Sequence, residues 1–276
     1  MRRAIYVGLV AALAVGAFYA AKYWPRPMAT GPAPVAKPVA PSLPVPDGGP
    51  AEPAIAHPVP TEDGPRHPLP PLDQSDAYVS KALVDLVGHK PVASFLNVDG
   101  FARRFVATVN NLGGESAATE LWPVRQTAGR FAAEKRGDQL VISPRNAERY
   151  EPFVHFVEGV DSRKAVATYV RLYPLLQRAY EDLGAPGRYF NDRVVAVIDE
   201  LLATPDVAEP VRVKAVGVDG GSPVAGSAHL YVFDDPSLES RTAGQKILVR
   251  VGRDNAKRLK AKLTEVRALL SSQPVR

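Results

Sequence analysis

The first apolar stretch of the chain has no charged face. From Ala4 to Ala21 it reads AIYVGLVAALAVGAFYAA, 18 residues without a charge, which at a rise of about 1.5 Å per residue just reaches the length of a spanning helix. Arg2 and Arg3 precede it, Lys22 follows, and Tyr19, Tyr23 and Trp24 stand where an interfacial aromatic belt sits. Two readings compete with an anchor. One is a cleaved signal peptide, for which Val15-Gly16-Ala17 offers a small-residue site before Phe18. The other is a buried core helix, which the following spacer would isolate from its core. Apolar residues continue past the cleavage site, so an uncleaved transmembrane anchor is expected. Residues 1–3, with two arginines, suit a cytoplasmic leader, although Lys22 and Arg26 on the other side keep the positive-inside bias small.

Between Pro25 and Pro71 the periodicity is lost: sixteen prolines fall in 47 residues, among alanine, valine and glycine. Proline fixes φ and removes a backbone donor, so residues 22–71 are expected to be a proline-rich, disordered tether of polyproline II and coil with no tertiary role. A ligand for a polyproline-reading domain is the competing reading.

Regular patterning begins at Leu72. Asp73-Gln74-Ser75-Asp76 supplies capping side chains, and Val79, Ala82, Leu83, Leu86 and Val87 recur at helical spacing up to Gly88. A second helix follows Asp99, with Phe101, Phe105, Val109 and Leu112 on one face. After Trp122-Pro123, alternation on either side of Gly137-Asp138 predicts a short hairpin. Helices are expected over 144–158 and 161–183, the second bent at Pro174, and over 192–203 with Asn191 as its cap. Residues 211–218 and 229–233 predict a second hairpin, and 242–251 and 254–270 two closing helices. Residues 72–276 therefore read as one predominantly helical α+β domain with small antiparallel hairpins, preceded by an N-terminal transmembrane helix and a proline-rich linker.

Composition narrows the chemistry. The chain has no cysteine, which removes disulfides, thiolate metal sites and thiol catalysis. Its net charge of +5 is unevenly placed: Arg241 to Arg276 holds ten Lys/Arg against Asp254 and Glu265, a net of +8, so the first 240 residues sum to −3.

The segments RRFVATVNNL (Arg103 to Leu112), LYPLLQRAYEDLG (Leu172 to Gly184), YFNDRVVAVIDELLATP (Tyr189 to Pro205) and AGQKILVRVGRDNAKRLKAKL (Ala243 to Leu263) resemble, in the same order, those of the proteobacterial domain of unknown function 3014 family. The resemblance covers nearly all of residues 72–270. It implies tethering to a membrane through an N-terminal helix and a proline-rich stretch, and it brings no established activity.

The histidines, at 57, 67, 89, 155 and 229, have no metal-site spacing, so no metal and no cofactor are expected. No nucleophile motif stands in a strand-turn-helix context, and Gly220, Gly221 and Gly226 read as turn residues. The densest polar group is Arg149, Tyr150, Arg171, Tyr173, Gln177, Tyr189, Asn191, Asp192 and Arg193. Arginine forks, tyrosine faces and amides suit an anionic or sugar-like ligand. The competing structural account has Asn191 and Asp192 cap a helix while arginines pair with Asp182, Asp199 or Glu158. Glu181-Asp182 and Asp199-Glu200 do not form acid–base pairs, because adjacent helical residues diverge by about 100°.

The last helix carries an apolar stripe of Ala256, Leu259, Leu263, Val266 and Leu270. Arg253, Lys257, Lys260 and Arg267 line one border and Arg258 and Lys262 the other, either as snorkelling rim residues or as a docking face for an anionic surface. The expected protein is a non-enzymatic cell-envelope module, single-pass in the inner membrane through residues 4–21 with its C-terminal domain periplasmic. It would dock an envelope protein or an anionic polymer or lipid, and not nucleic acid. The alternative is an enzyme on envelope polymer, with Asp192 and Arg149 or Arg171 in its site.

Overall fold

Capping side chains and left-handed glycines set the helix boundaries in this computed structural model, which describes residues 55–59, 68–216 and 231–271. A 3-10 turn at Leu72–Gln74 leads into α1 (Asp76–Val87), which stops at Gly88, whose φ of +87° is costly for any side chain bearing a Cβ. Then come α2 (His89–Phe95), α3 (Phe101–Leu112), β1 (Ala133–Arg136), β2 (Gln139–Ile142), α4 (Pro144–Glu158) and α5 (Ser162–Asp182). The remaining elements are α6 (Phe190–Leu202), β3 (Val213–Ala215), β4 (Tyr231–Phe233), α7 (Pro236–Glu239), α8 (Ala243–Arg250) and α9 (Arg253–Ser271). Asp161 caps α5 by accepting from the Arg163 and Lys164 N–H groups, and Thr242 caps α8 through Gln245. α5 continues unbroken through Pro174, which faces outward.

The helices pack around one core. α3 lies against α5, α6 and α8, and α9 lies against α4, α5 and α6. The expected stripe of α9 faces inward, with Leu259, Leu263, Val266 and Leu270 buried against that core. Phe190, fully buried at the start of α6, sits against Phe105 and Tyr180 with ring centroids 6.0 and 5.3 Å away. Full burial of a side chain of this size is worth about 1.5–3 kcal/mol.

Both hairpins are antiparallel and small, β1 pairing with β2 and β3 with β4. An antiparallel bridge from Val141 to Arg212 and the bond from Ile142 N–H to Val211 C=O (2.9 Å) join them. A satellite cluster of Val211, Val213, Phe233 and Leu238 fills the space beneath. The fold is mostly helical α+β, as the patterning predicts. The expected span at 4–21 and most of the expected tether lie outside the described residues. Among the described residues no helix is long and apolar enough to cross a membrane.

Candidate functional site

α5 and α6 meet at one end, where α5 presents Tyr169, Tyr173 and Gln177 on successive turns toward the first turn of α6. Gln177 Oε1 accepts from the Phe190 N–H (2.8 Å) and from the Tyr173 hydroxyl (3.0 Å), while its Nε2 donates to the Arg188 carbonyl (2.8 Å) and to Glu181 (3.1 Å). The Tyr173 hydroxyl also accepts from the Asn191 N–H at 3.4 Å. These bonds hold the open donors of the α6 start, a task that sequence reading assigns to an Asn191 cap.

Asn191 does not cap the helix. α6 begins at Phe190 with Tyr189 as its N-cap, and no side chain bonds back to the helix start as a cap. The Asn191 side chain, wholly buried, points elsewhere: its Oδ1 accepts from the Tyr169 hydroxyl (3.0 Å) and its Nδ2 donates to the carbonyl of His57 (2.8 Å). Asp192, beside it, accepts two main-chain N–H groups, from Ala56 at 3.2 Å on Oδ2 and from His57 at 2.7 Å on Oδ1. A piece of the proline-rich spacer thus lies against the domain, and the expectation that this spacer has no tertiary role fails at residues 56 and 57. Composition reports how few donors a proline-rich segment has, but not that a carboxylate elsewhere in the fold accepts the ones that remain.

Burial pushes the Tyr169 hydroxyl well above its ordinary pKa of 10.0, with the charges of Tyr173 and Asp192 acting in the same direction. Burial likewise pushes Tyr173 up to about 12. Both hydroxyls are therefore donors at neutral pH. Because Tyr169 donates, the group facing it must be the Asn191 oxygen, and the amide nitrogen is left facing the His57 carbonyl. Neither Tyr169 nor the spacer residues belong to the sequence-predicted group. Tyr169 was within reach of sequence reasoning, standing four residues before Tyr173 on the same helical face.

The rest of the predicted group is distributed among other tasks. Arg149 clasps the loop before β1, donating to the Ala128 and Gly129 carbonyls (each 3.1 Å) and to Asn146 Oδ1 (2.7 Å), with its guanidinium over the Tyr150 ring. Tyr150 is a core residue, and burial raises its pKa. Arg193 joins α6 to α3 through the Asn110 carbonyl (2.7 Å) and side chain (3.2 Å). Arg171 is exposed and lines a shallow depression of about 400 Å³ with Lys164 and Asp85. Tyr189 is 38% exposed, next to the buried pair. The structure thus gathers Tyr173, Gln177, Tyr189, Asn191 and Asp192 at one end of α5 and α6, and gives Arg149, Tyr150 and Arg193 partners of their own.

The carboxylates set aside as ion-pair partners are engaged, though by other arginines: Asp182 by Arg103 and Arg178, Asp199 by Arg267, and Glu158 by Arg258. On the basic border of α9, Arg253 forks onto Asp206 with two bonds of 2.6 Å, and Arg267 forks onto Asp199 at 2.8 and 3.1 Å. These bonds raise both guanidinium pKa values. Lys260 donates to the Thr204 carbonyl, and burial lowers its pKa. Lys257 is exposed. Among the described residues, no group of three or more His, Asp or Glu side chains is placed to hold a metal ion.

The family described as Protein of unknown function (DUF3014) matches residues 101–267. The chain belongs to this family. The match takes in α3 through most of α9, and so the α5–α6 site with Tyr169, Asn191 and Asp192, whereas residues 56 and 57 lie outside it. No curated protein and no solved structure matches the chain.

Proposed function

We propose that this chain is a membrane-tethered envelope module that docks a protein partner through the α5–α6 site. One observation carries the reading: Asn191 and Asp192 satisfy two adjacent N–H groups and one C=O of a peptide main chain, groups that a bent non-prolyl segment of any sequence can present. The alternative of an enzyme on envelope polymer is less favoured, because Arg149 spends its donors on Ala128, Gly129 and Asn146. The anionic-surface reading is less favoured, because Arg253, Lys260 and Arg267 spend their donors on groups of this chain. The uncharged run at 4–21, the double-arginine leader and the spacer support an inner-membrane anchor with the domain held outside the cytoplasm.

The test is photocrosslinking in living cells with a photoreactive residue at position 189, which is exposed beside the site. A discrete protein adduct that disappears with Asp192→Ala is expected. Adducts with lipid or cell-wall polymer alone, or protein adducts indifferent to Asp192→Ala, would overturn the reading.

A further inference from the structure

The contact between the spacer and the α5–α6 site has the make-up of a ligand in a receptor. Ile55 is 41% exposed and Ala56 and Pro58 are exposed, so little apolar side-chain burial holds the segment. What holds it is the main chain: consecutive N–H groups at 56 and 57 fall on the two oxygens of one carboxylate, and the carbonyl of 57 meets a buried amide. Charge-assisted bonds of this kind are about twice as strong as neutral ones. Pro58 disfavours the helical region for His57, so the segment, which bends at residues 56 and 57, enters with less conformational freedom to lose. On the receptor side the reading groups are held by bonds within the domain. Tyr169 fixes the Asn191 amide and Tyr173 with Gln177 fixes the start of α6.

We infer that the Asn191–Asp192 pair is a main-chain-reading peptide site, and that its resident ligand is this chain's own spacer segment, Ile55–Pro58, bound in cis. The inference rests on the partner-docking reading and gives it a substrate class and a control. A partner's segment must offer two adjacent non-prolyl N–H groups followed by a free carbonyl, must bend as residues 56 and 57 do so that both N–H groups face one carboxylate, and must displace the resident segment first. Tethering sets how hard that displacement is. A short linker gives an effective concentration on the order of millimolar. A peptide with an intrinsic Kd of about 0.1 mM is then bound in cis about ten to one, and an identical peptide in trans is weakened about tenfold.

Selectivity follows from the same contacts. With the side chains of 55 and 56 facing out, the site tolerates exchange there, but not loss of the N–H groups. Proline at 56 removes the donor that meets Oδ2 of Asp192, at a position whose side chain is exposed.

The test uses the full-length chain in detergent and a fluorescent peptide of residues 53–60, PAIAHPVP, read by anisotropy. Ala56→Pro in the chain should free the site and bind the labelled peptide about tenfold more tightly than the wild type does. Asp192→Ala added to Ala56→Pro should cost at least tenfold, and Asp192→Asn, which keeps the side-chain volume and one acceptor, should cost less. A labelled peptide carrying proline at its own position 56 should not bind. Equal binding by wild type and Ala56→Pro, or binding to Ala56→Pro that Asp192→Ala leaves untouched, would overturn the inference. Failure of this assay alongside Asp192-dependent protein adducts in cells refutes the resident peptide and spares the docking reading. Peptide binding with no protein adduct does the reverse.

Discussion

A buried asparagine has one acceptor oxygen and two donor hydrogens to place, and for Asn191 two of those needs are met by a tyrosine from α5 and a carbonyl from the spacer. Tyr169→Phe removes the hydroxyl on that oxygen while keeping the ring. An acceptor left unpaired in the interior should cost roughly 1–2 kcal/mol in denaturant-induced unfolding, and the freed amide should hold the spacer less well. Single residues were unevenly legible in the sequence. Tyr173, Gln177, Asn191 and Asp192 stood out because polar side chains of suitable type lay at helical spacing or in one short run. Ala56 and His57 did not, since what they contribute is their peptide groups, and every non-prolyl residue has those. Arg149 and Arg193 have side-chain chemistry suited to a ligand, and the fold uses it on Ala128, Gly129 and Asn110.

Helix boundaries were more legible than helix partners. The 3.6-residue recurrence of apolar positions locates α1, α3, α4, α5, α8 and α9 within a residue or two. It does not locate α2, seven residues long with Pro91 in its first turn, where too few positions exist for a period to show. How elements meet depends on details that no period carries. At Gly244 on α8, an added Cβ would lie 2.5 Å from Leu201 Cδ2 and 3.1 Å from the Leu112 carbonyl oxygen. Leu201 and Leu112 are both buried, so neither can give way freely. Gly244→Ala should therefore destabilise by about 1–3 kcal/mol despite alanine's better helix propensity, measured as a shift in denaturation midpoint at unchanged m-value. The α4–α9 contact is polar at its rim, where Arg258 forks onto Glu158 (2.8 and 2.5 Å) and reaches Glu151 (2.8 Å). The bond from Arg258 holds the Glu158 carboxyl below its ordinary 4.5, and Ser162 with Lys262 does the same for Glu265. Depressed native values mean that the unfolded chain binds more protons in this window. The stabilisation is thus complete above about pH 4.5 and lost as pH falls through the native values. Arg258→Met should cost on the order of 1 kcal/mol at neutral pH after solvent screening, and should make the fall in Tm between pH 5 and pH 3 shallower than in the wild type.

Taken together, the chain is a helical α+β domain of the DUF3014 family whose N-terminal segment returns to it at residues 56 and 57. Domain class and element order followed from patterning because burial of apolar stripes dominates both. The return of the spacer did not, because it depends on a handful of main-chain bonds between residues about 135 positions apart. The docking proposal and the resident-peptide inference both need that contact to persist in solution. Hydrogen exchange of the full-length protein at the amides of Ala56 and His57 measures it directly. Slowed exchange at both amides in the wild type, returning to the rate of a free peptide with Asp192→Ala, is the expected result. Free-peptide exchange at both amides in the wild type would contradict the account.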